Sequence, residues 1–89
     1  MRELYDEAQA IIDDCERFVK ENTLIVEETD YLIVHEDDED KQLALRATRA
    51  GLLKQIGQVF TTKQQALAQK DMIRMQATLG FSRALLSNR

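Results

Sequence analysis

The spacing of apolar residues limits this chain to few folds. Between residues 4 and 34, apolar side chains recur at intervals of three and four, broken only at Asn22 and Thr29, and a second column at intervals of seven runs beside them. A third column at sevens extends from residue 45 to residue 73. Spacing of this kind predicts two long amphipathic helices, at about 3–34 and 42–79. The columns are Leu4, Ala8, Ile11, Cys15, Phe18, Ile25 and Leu32; then Tyr5, Ile12, Val19, Val26 and Ile33; then Leu45, Leu52, Val59, Ala66 and Ile73.

The composition also favours helices over sheets. The 89 residues include no Pro and only three Gly, the residues that many turns require. We therefore predict one all-α domain over residues 1–89, in which two helices form an antiparallel, coiled-coil-like hairpin. The spacing of Thr62 and Gln65 matches a capping box, which leaves a helix break near 57–62 as an alternative. Gly51 and Gly57 indicate either a bend or a close helix contact.

Residues 23–35 allow a second fold. The segment TLIVEETDYLIVH is rich in β-branched residues, which favour strands. Two strands near 23–27 and 31–35 would give an α-β-hairpin-α chain. An isolated two-stranded hairpin is only marginally stable, so this alternative needs additional packing or dimerisation.

Charge is divided sharply along the chain. Residues 1–40 hold 15 acids and three bases, a net charge of −12, whereas residues 41–89 hold one acid and nine bases, a net charge of +8. An acidic column and a basic column flank the apolar ones, so an antiparallel hairpin would set them side by side. The predicted ion pairs are Glu28–Arg49, Asp14–Lys63 and Glu7–Lys70.

The sequence HEDDED at residues 35–40 stands at the boundary between the two charged halves. It lacks the glycine and the final glutamate of a calcium-binding loop, and zinc would need more His or Cys than this chain has. We interpret residues 35–41 as a solvated acidic turn. Asp40 is placed to cap the second helix and His35 to end the first.

No residue pattern indicates catalysis. Cys15 lies in an apolar column, as expected for a buried, inert thiol, and His35 is too distant along the helix to activate it. Phosphate-binding loops and Ser-His-Asp sets are absent from the sequence. We expect a protein that is not an enzyme, with no catalytic residue, cofactor or metal.

The unequal helix lengths predict the binding site. If the turn lies at 35–41, the start of the first helix stands beside about residue 74 of the second helix. A C-terminal apolar segment at 80–86 then extends beyond the first helix. Exposed apolar surface of this kind usually marks an interaction site. The predicted partner-binding residues are Met75, Leu79, Phe81, Leu85 and Leu86. We also expect the hairpin to dimerise into a helical bundle, because its apolar columns are wider than one helix contact can cover.

These features predict a protein–protein interaction module, such as a small adaptor, assembly factor or chaperone-like protein. Its partner would be another protein, a second copy of itself, or both. The lone cysteine and the acidic start of the chain favour the cytoplasm, and no segment is apolar enough for a membrane. Two alternatives stay open: a nucleic-acid-binding hairpin that uses the basic second helix, which the net negative charge disfavours, and an acidic inhibitor that mimics nucleic acid.

Overall fold

The chain forms a helical hairpin. In the computed structural model, α1 spans Arg2–His35 and α2 spans Glu39–Ser87, joined by the turn at residues 36–38. The structure describes the backbone of residues 2–87 and the side chains of residues 2–80. The helices run antiparallel in a rod of 77 × 15 × 14 Å. The predicted all-α hairpin is therefore confirmed.

The alternative with strands is wrong. Residues 23–27 and 31–35 both lie within α1, and no strand occurs between residues 2 and 87. The β-branched side chains of this segment keep the helical spacing. Val26 and Ile33 are buried against α2, so packing outweighs their preference for strands.

One seam of buried and half-buried side chains joins the two helices. On both helices the seam positions alternate at intervals of three and four, which is the pattern of a coiled coil. The most buried members are Ala8, Ile12, Cys15, Val26, Thr29 and Ile33 of α1 and Ala66 and Ile73 of α2. Half-buried members of α2 include Leu45, Arg49, Leu52, Ile56, Val59, Lys63 and Lys70.

The cross-helix polar pairs differ from those predicted. Each cation of α2 contacts an α1 residue whose number is higher by two than that of the predicted partner. Arg49 Nε lies 2.5 Å from Asp30 Oδ1, and Lys63 Nζ lies 3.3 Å from Glu16 Oε1. The third cation, Lys70, donates a hydrogen bond to Gln9. The predicted pairs of these cations with Glu28, Asp14 and Glu7 are therefore wrong.

The cause of this shift is that the basic column of α2 belongs to the seam and not to its flank. Small α1 side chains, including Ala8 and Cys15, stand at the seam positions just before Gln9 and Glu16. The aliphatic stems of Lys63 and Lys70 can therefore lie across the seam while their charged ends reach its edge.

The turn is shorter than predicted, and the residue that caps α2 lies two positions earlier than predicted. α1 ends at His35, one residue later than predicted, and α2 begins at Glu39, three residues earlier than predicted. Asp38, and not Asp40, caps α2: its Oδ1 accepts from the Lys41 backbone N–H at 3.1 Å. The side chain of Gln42 also donates to the carbonyl of Ile33 at 3.2 Å, which ties the start of α2 to the end of α1.

α2 is continuous through residues 57–62. The hydroxyls of Thr61 and Thr62 each donate to the backbone carbonyl four residues earlier, at 3.2 Å, which is a mid-helix arrangement and not a cap. Apart from the nearby backbone of α2 itself, no atom lies within 4 Å of where a Cβ on Gly51 or Gly57 would stand, so neither residue marks a close helix contact. The helix also continues through Gly80. Neither α1 nor α2, over the residues described, contains a stretch long and apolar enough to cross a membrane.

Candidate protein-binding surfaces

The first candidate surface lies near the C-terminal end of α2, which continues past the start of α1. Met72, Met75 and Leu79 follow one another at intervals of three and four, so they share one side of α2. All three are exposed, Met75 to 64% and Leu79 to 53%. Of the five predicted binding residues, the structure therefore leaves Met75 and Leu79 open to a partner. Phe81, Leu85 and Leu86 lie outside the side chains that the structure describes.

A cationic clamp holds the base of this extension. Arg74 Nη2 donates to the Tyr5 hydroxyl at 2.9 Å, and Lys70 Nζ lies 5.0 Å from the centroid of the same ring. The hydrogen bond from Arg74 is the largest influence on the phenol, and it lowers the pKa of Tyr5 below its ordinary value despite partial desolvation. The clamp fixes α2 beside the first turns of α1, directly before Met75.

The second candidate surface is a column of apolar residues on α1, here called the α1 stripe. The predicted turn would set Ile25 against Leu52 and Phe18 against Val59, inside the helix interface. In the structure these residues lie at its edge instead, because four of the five are 41–51% exposed and the fifth, Phe18, is half-buried. Each lies one residue before a seam residue, so it stands at the edge of the interface. The α1 stripe consists of Leu4, Ile11, Phe18, Ile25 and Leu32.

The α1 stripe has an acidic edge and an uncharged edge. On its outer side runs the exposed acidic column Glu7, Asp14, Glu21 and Glu28. On its inner side lies α2, as shown by a cleft that Leu32 lines together with Ala44, Leu45 and Thr48. The α2 residues that continue this face recur at intervals of three and four and carry no charge, and all but Met72 are polar or small. They are Ala44, Thr48, Gly51, Gln55, Gln58, Thr62, Gln65, Gln69 and Met72, all exposed.

A smaller apolar surface occupies the opposite flank of the hairpin. Leu53 and Phe60 are 42% and 52% exposed there. Leu53 lines a second cleft together with Arg46, Arg49 and Asp30. The carboxylate of Asp30 already engages Arg49, so this flank combines apolar contacts with neutralised charge.

The basic side chains of α2 are directed largely at α1. Arg49, Lys63, Lys70 and Arg74 all contact α1 side chains. The nucleic-acid alternative would use these same four side chains on phosphates. That alternative and the acidic-mimic alternative both stay untested predictions.

The acidic turn and Cys15 provide the residue types considered in the sequence for metal binding or catalysis. Among the described residues, no group of three or more His, Cys, Asp or Glu side chains is arranged to hold a metal ion. Cys15 is buried in the seam as a free thiol, as predicted. Tyr31 and His35 pack their rings 4.2 Å apart at the end of α1.

Comparison with known protein families, curated proteins and solved structures finds no match to this chain.

Proposed function

We propose that this chain is a non-enzymatic, cytoplasmic protein-binding module whose extended α2 segment binds an apolar helix of another protein. The observation that supports this most directly is the position of Met75 and Leu79, which are exposed on a helix that continues beyond its own partner. Exposed apolar side chains on an ordered helix form a preformed surface, so binding requires little ordering of the chain.

Residue type also suits this role. Methionine side chains are flexible and polarisable, so Met72 and Met75 adapt to partners of irregular shape. Each Met or Leu that a partner covers fully would contribute about 1.5–3 kcal/mol of binding free energy. An adaptor or assembly factor needs such a surface and needs no catalytic group.

The test compares two double variants of the full chain. Met75→Glu with Leu79→Glu removes two apolar contacts and places charge on the surface. Gln76→Glu with Thr78→Glu adds the same two charges on neighbouring exposed positions of the same helix. Partners are captured with each chain from cells that produce the protein. Circular dichroism checks that all chains remain equally helical.

We expect the wild type and the Gln76/Thr78 variant to capture the same partner and the Met75/Leu79 variant to lose it. The expected loss is at least about tenfold, because burying a glutamate costs more than burying a methionine gains. Equal capture by all three chains would show that the extended segment is not the binding surface.

A further inference from the structure

The α1 stripe has a palindromic order. Its residues, at intervals of seven, are Leu4, Ile11, Phe18, Ile25 and Leu32, so the same residue types occur at equal distances on either side of Phe18. A two-fold axis through Phe18 would therefore set every side chain of the stripe against its own kind in a second, antiparallel copy. Leu4 would face Leu32, Ile11 would face Ile25, and Phe18 would face itself. Self-complementary contact of this type is the signature of a two-fold dimer.

The uncharged α2 face completes such an interface. It lies beside the α1 stripe, so the same two-fold axis would bring the α2 faces of both copies together and produce four helices around a common core. Its nine exposed residues are uncharged over the whole range 44–72. A face without charge can be covered by an identical face without any unpaired ion.

The size of the combined surface is sufficient. From Leu4 to Leu32 the stripe extends about 42 Å along α1, at a rise of about 1.5 Å per residue. Two helices, each contributing a strip about 10 Å wide, would cover roughly 800 Å² per copy, which is the area of a standard stable interface.

We infer that the α1 stripe and the uncharged α2 face bind a second copy of this chain, as an antiparallel two-fold dimer centred on Phe18. This inference shares only Met72 with the first candidate surface and does not depend on Met75 or Leu79. It goes beyond the proposed function, since it stands whether or not those two residues bind a partner.

The acidic edge of the α1 stripe introduces charge repulsion between the two copies of this dimer. The same axis sets the acidic columns of both copies along one edge, with Glu7 beside Glu28 of the second copy and Asp14 beside Glu21 of the second copy. Like charges at such positions oppose association. The dimer is therefore expected to tighten with added salt, the opposite of an interface held by ion pairs.

The first test measures the dimer dissociation constant by sedimentation equilibrium. Ile25→Glu places a charge in the stripe, and the matched control Leu24→Glu places the same charge one residue away on an exposed position outside it. Because each substitution occurs twice in a two-fold dimer, Ile25→Glu should raise the dissociation constant by about 100-fold or more. Leu24→Glu should change it by less than about threefold. Circular dichroism confirms that both variants keep the helical hairpin.

The second test requires a gain of affinity, which damage to the fold cannot produce. Glu28→Lys converts two like-charge contacts with Glu7 into two opposite-charge contacts and should tighten the dimer about fivefold. Glu27→Lys makes the same charge change on an exposed position turned away from the stripe, and should not. A monomeric wild type at several hundred micromolar, equal effects of Ile25→Glu and Leu24→Glu, or equal effects of Glu28→Lys and Glu27→Lys would each overturn the inference.

Discussion

Two neighbouring columns of α1 differ in what covers them, although they are almost indistinguishable in sequence. Ile11, Ile25 and Leu32 of the α1 stripe are 41%, 44% and 51% exposed, whereas the residues that follow them directly, Ile12, Val26 and Ile33, are only 4%, 8% and 9% exposed. All six are aliphatic and recur at sevens. The apolar spacing therefore predicts that a helix face is buried against another surface. The register between α1 and α2 determines whether that surface belongs to the same chain.

The largest expected effect is a difference between the two columns in how much a substitution lowers the free energy of unfolding. Ile12→Ala should lower the free energy of unfolding by about 2–5 kcal/mol, because it leaves a cavity in the seam. Ile11→Ala should cost less than about 1.5 kcal/mol, because this side chain is partly solvated already. Urea unfolding followed by circular dichroism measures both, in an Ile25→Glu background that removes self-association. Similar costs at the two positions would mean that the seam is misplaced.

A smaller effect is expected at the turn, which sets the register and so decides which column becomes the seam. Asp38→Ala removes the cap of α2 and should lower the free energy of unfolding by about 1 kcal/mol. Asp37→Ala, on the neighbouring exposed residue, should change it by less than about 0.5 kcal/mol. The same unfolding experiment compares the two variants, and a larger cost for Asp37 would contradict the assigned cap.

The cross-helix ion pairs provide a further test of the register between the two helices. A double-mutant cycle of Glu16→Gln with Lys63→Met should give a coupling energy of about 0.2–1 kcal/mol, which declines with added salt because both side chains are partly exposed. The cycle of Asp14→Asn with Lys63→Met should give a coupling near zero. Coupling to Asp14 in place of Glu16 would restore the register first expected from the sequence.

The smallest effect concerns the clamp at the open end of the hairpin. With Tyr31→Phe leaving one tyrosine, Arg74→Gln should raise the pKa of Tyr5 towards its ordinary value, as measured by ultraviolet absorbance. Because folding lowers this pKa, the contact contributes most above the pKa of the unfolded tyrosine. Its contribution falls away as pH decreases through the pKa of the folded one. An unchanged titration curve would show that the Arg74 hydrogen bond is not formed in solution.

Much of the fold could be predicted from sequence because helical periodicity is a local property. The two helices, the acidic turn, the burial of Cys15 and the exposed positions of Met75 and Leu79 all follow from spacing and composition. The ion pairs were wrong because columns at intervals of seven look alike in several registers. Choosing among those registers depends on side-chain volume, in particular on the small residues Ala8 and Cys15 that admit lysine stems into the seam. That volume pattern is visible in the sequence and would have identified the basic column as part of the interface.

The α1 stripe was missed as a surface for the same reason. Its residues are apolar enough for a core, and spacing alone does not distinguish them from the seam residues that directly follow them. The palindrome around Phe18 was the available signal, because a column that covers a different helix has no reason to be symmetric about its own centre.

The arrangement of two copies about Phe18 can be measured directly by electron paramagnetic resonance. Nitroxide labels are placed singly at residues 7, 21 and 28, in a Cys15→Ala chain, and the separation between the two labels of a dimer is determined. An antiparallel dimer centred on Phe18 predicts axial separations of about 33, 9 and 30 Å respectively, from a rise of about 1.5 Å per residue. The same short separation at all three positions would indicate a parallel pairing. The absence of any dipolar coupling between chains would show that α1 does not bind a second copy.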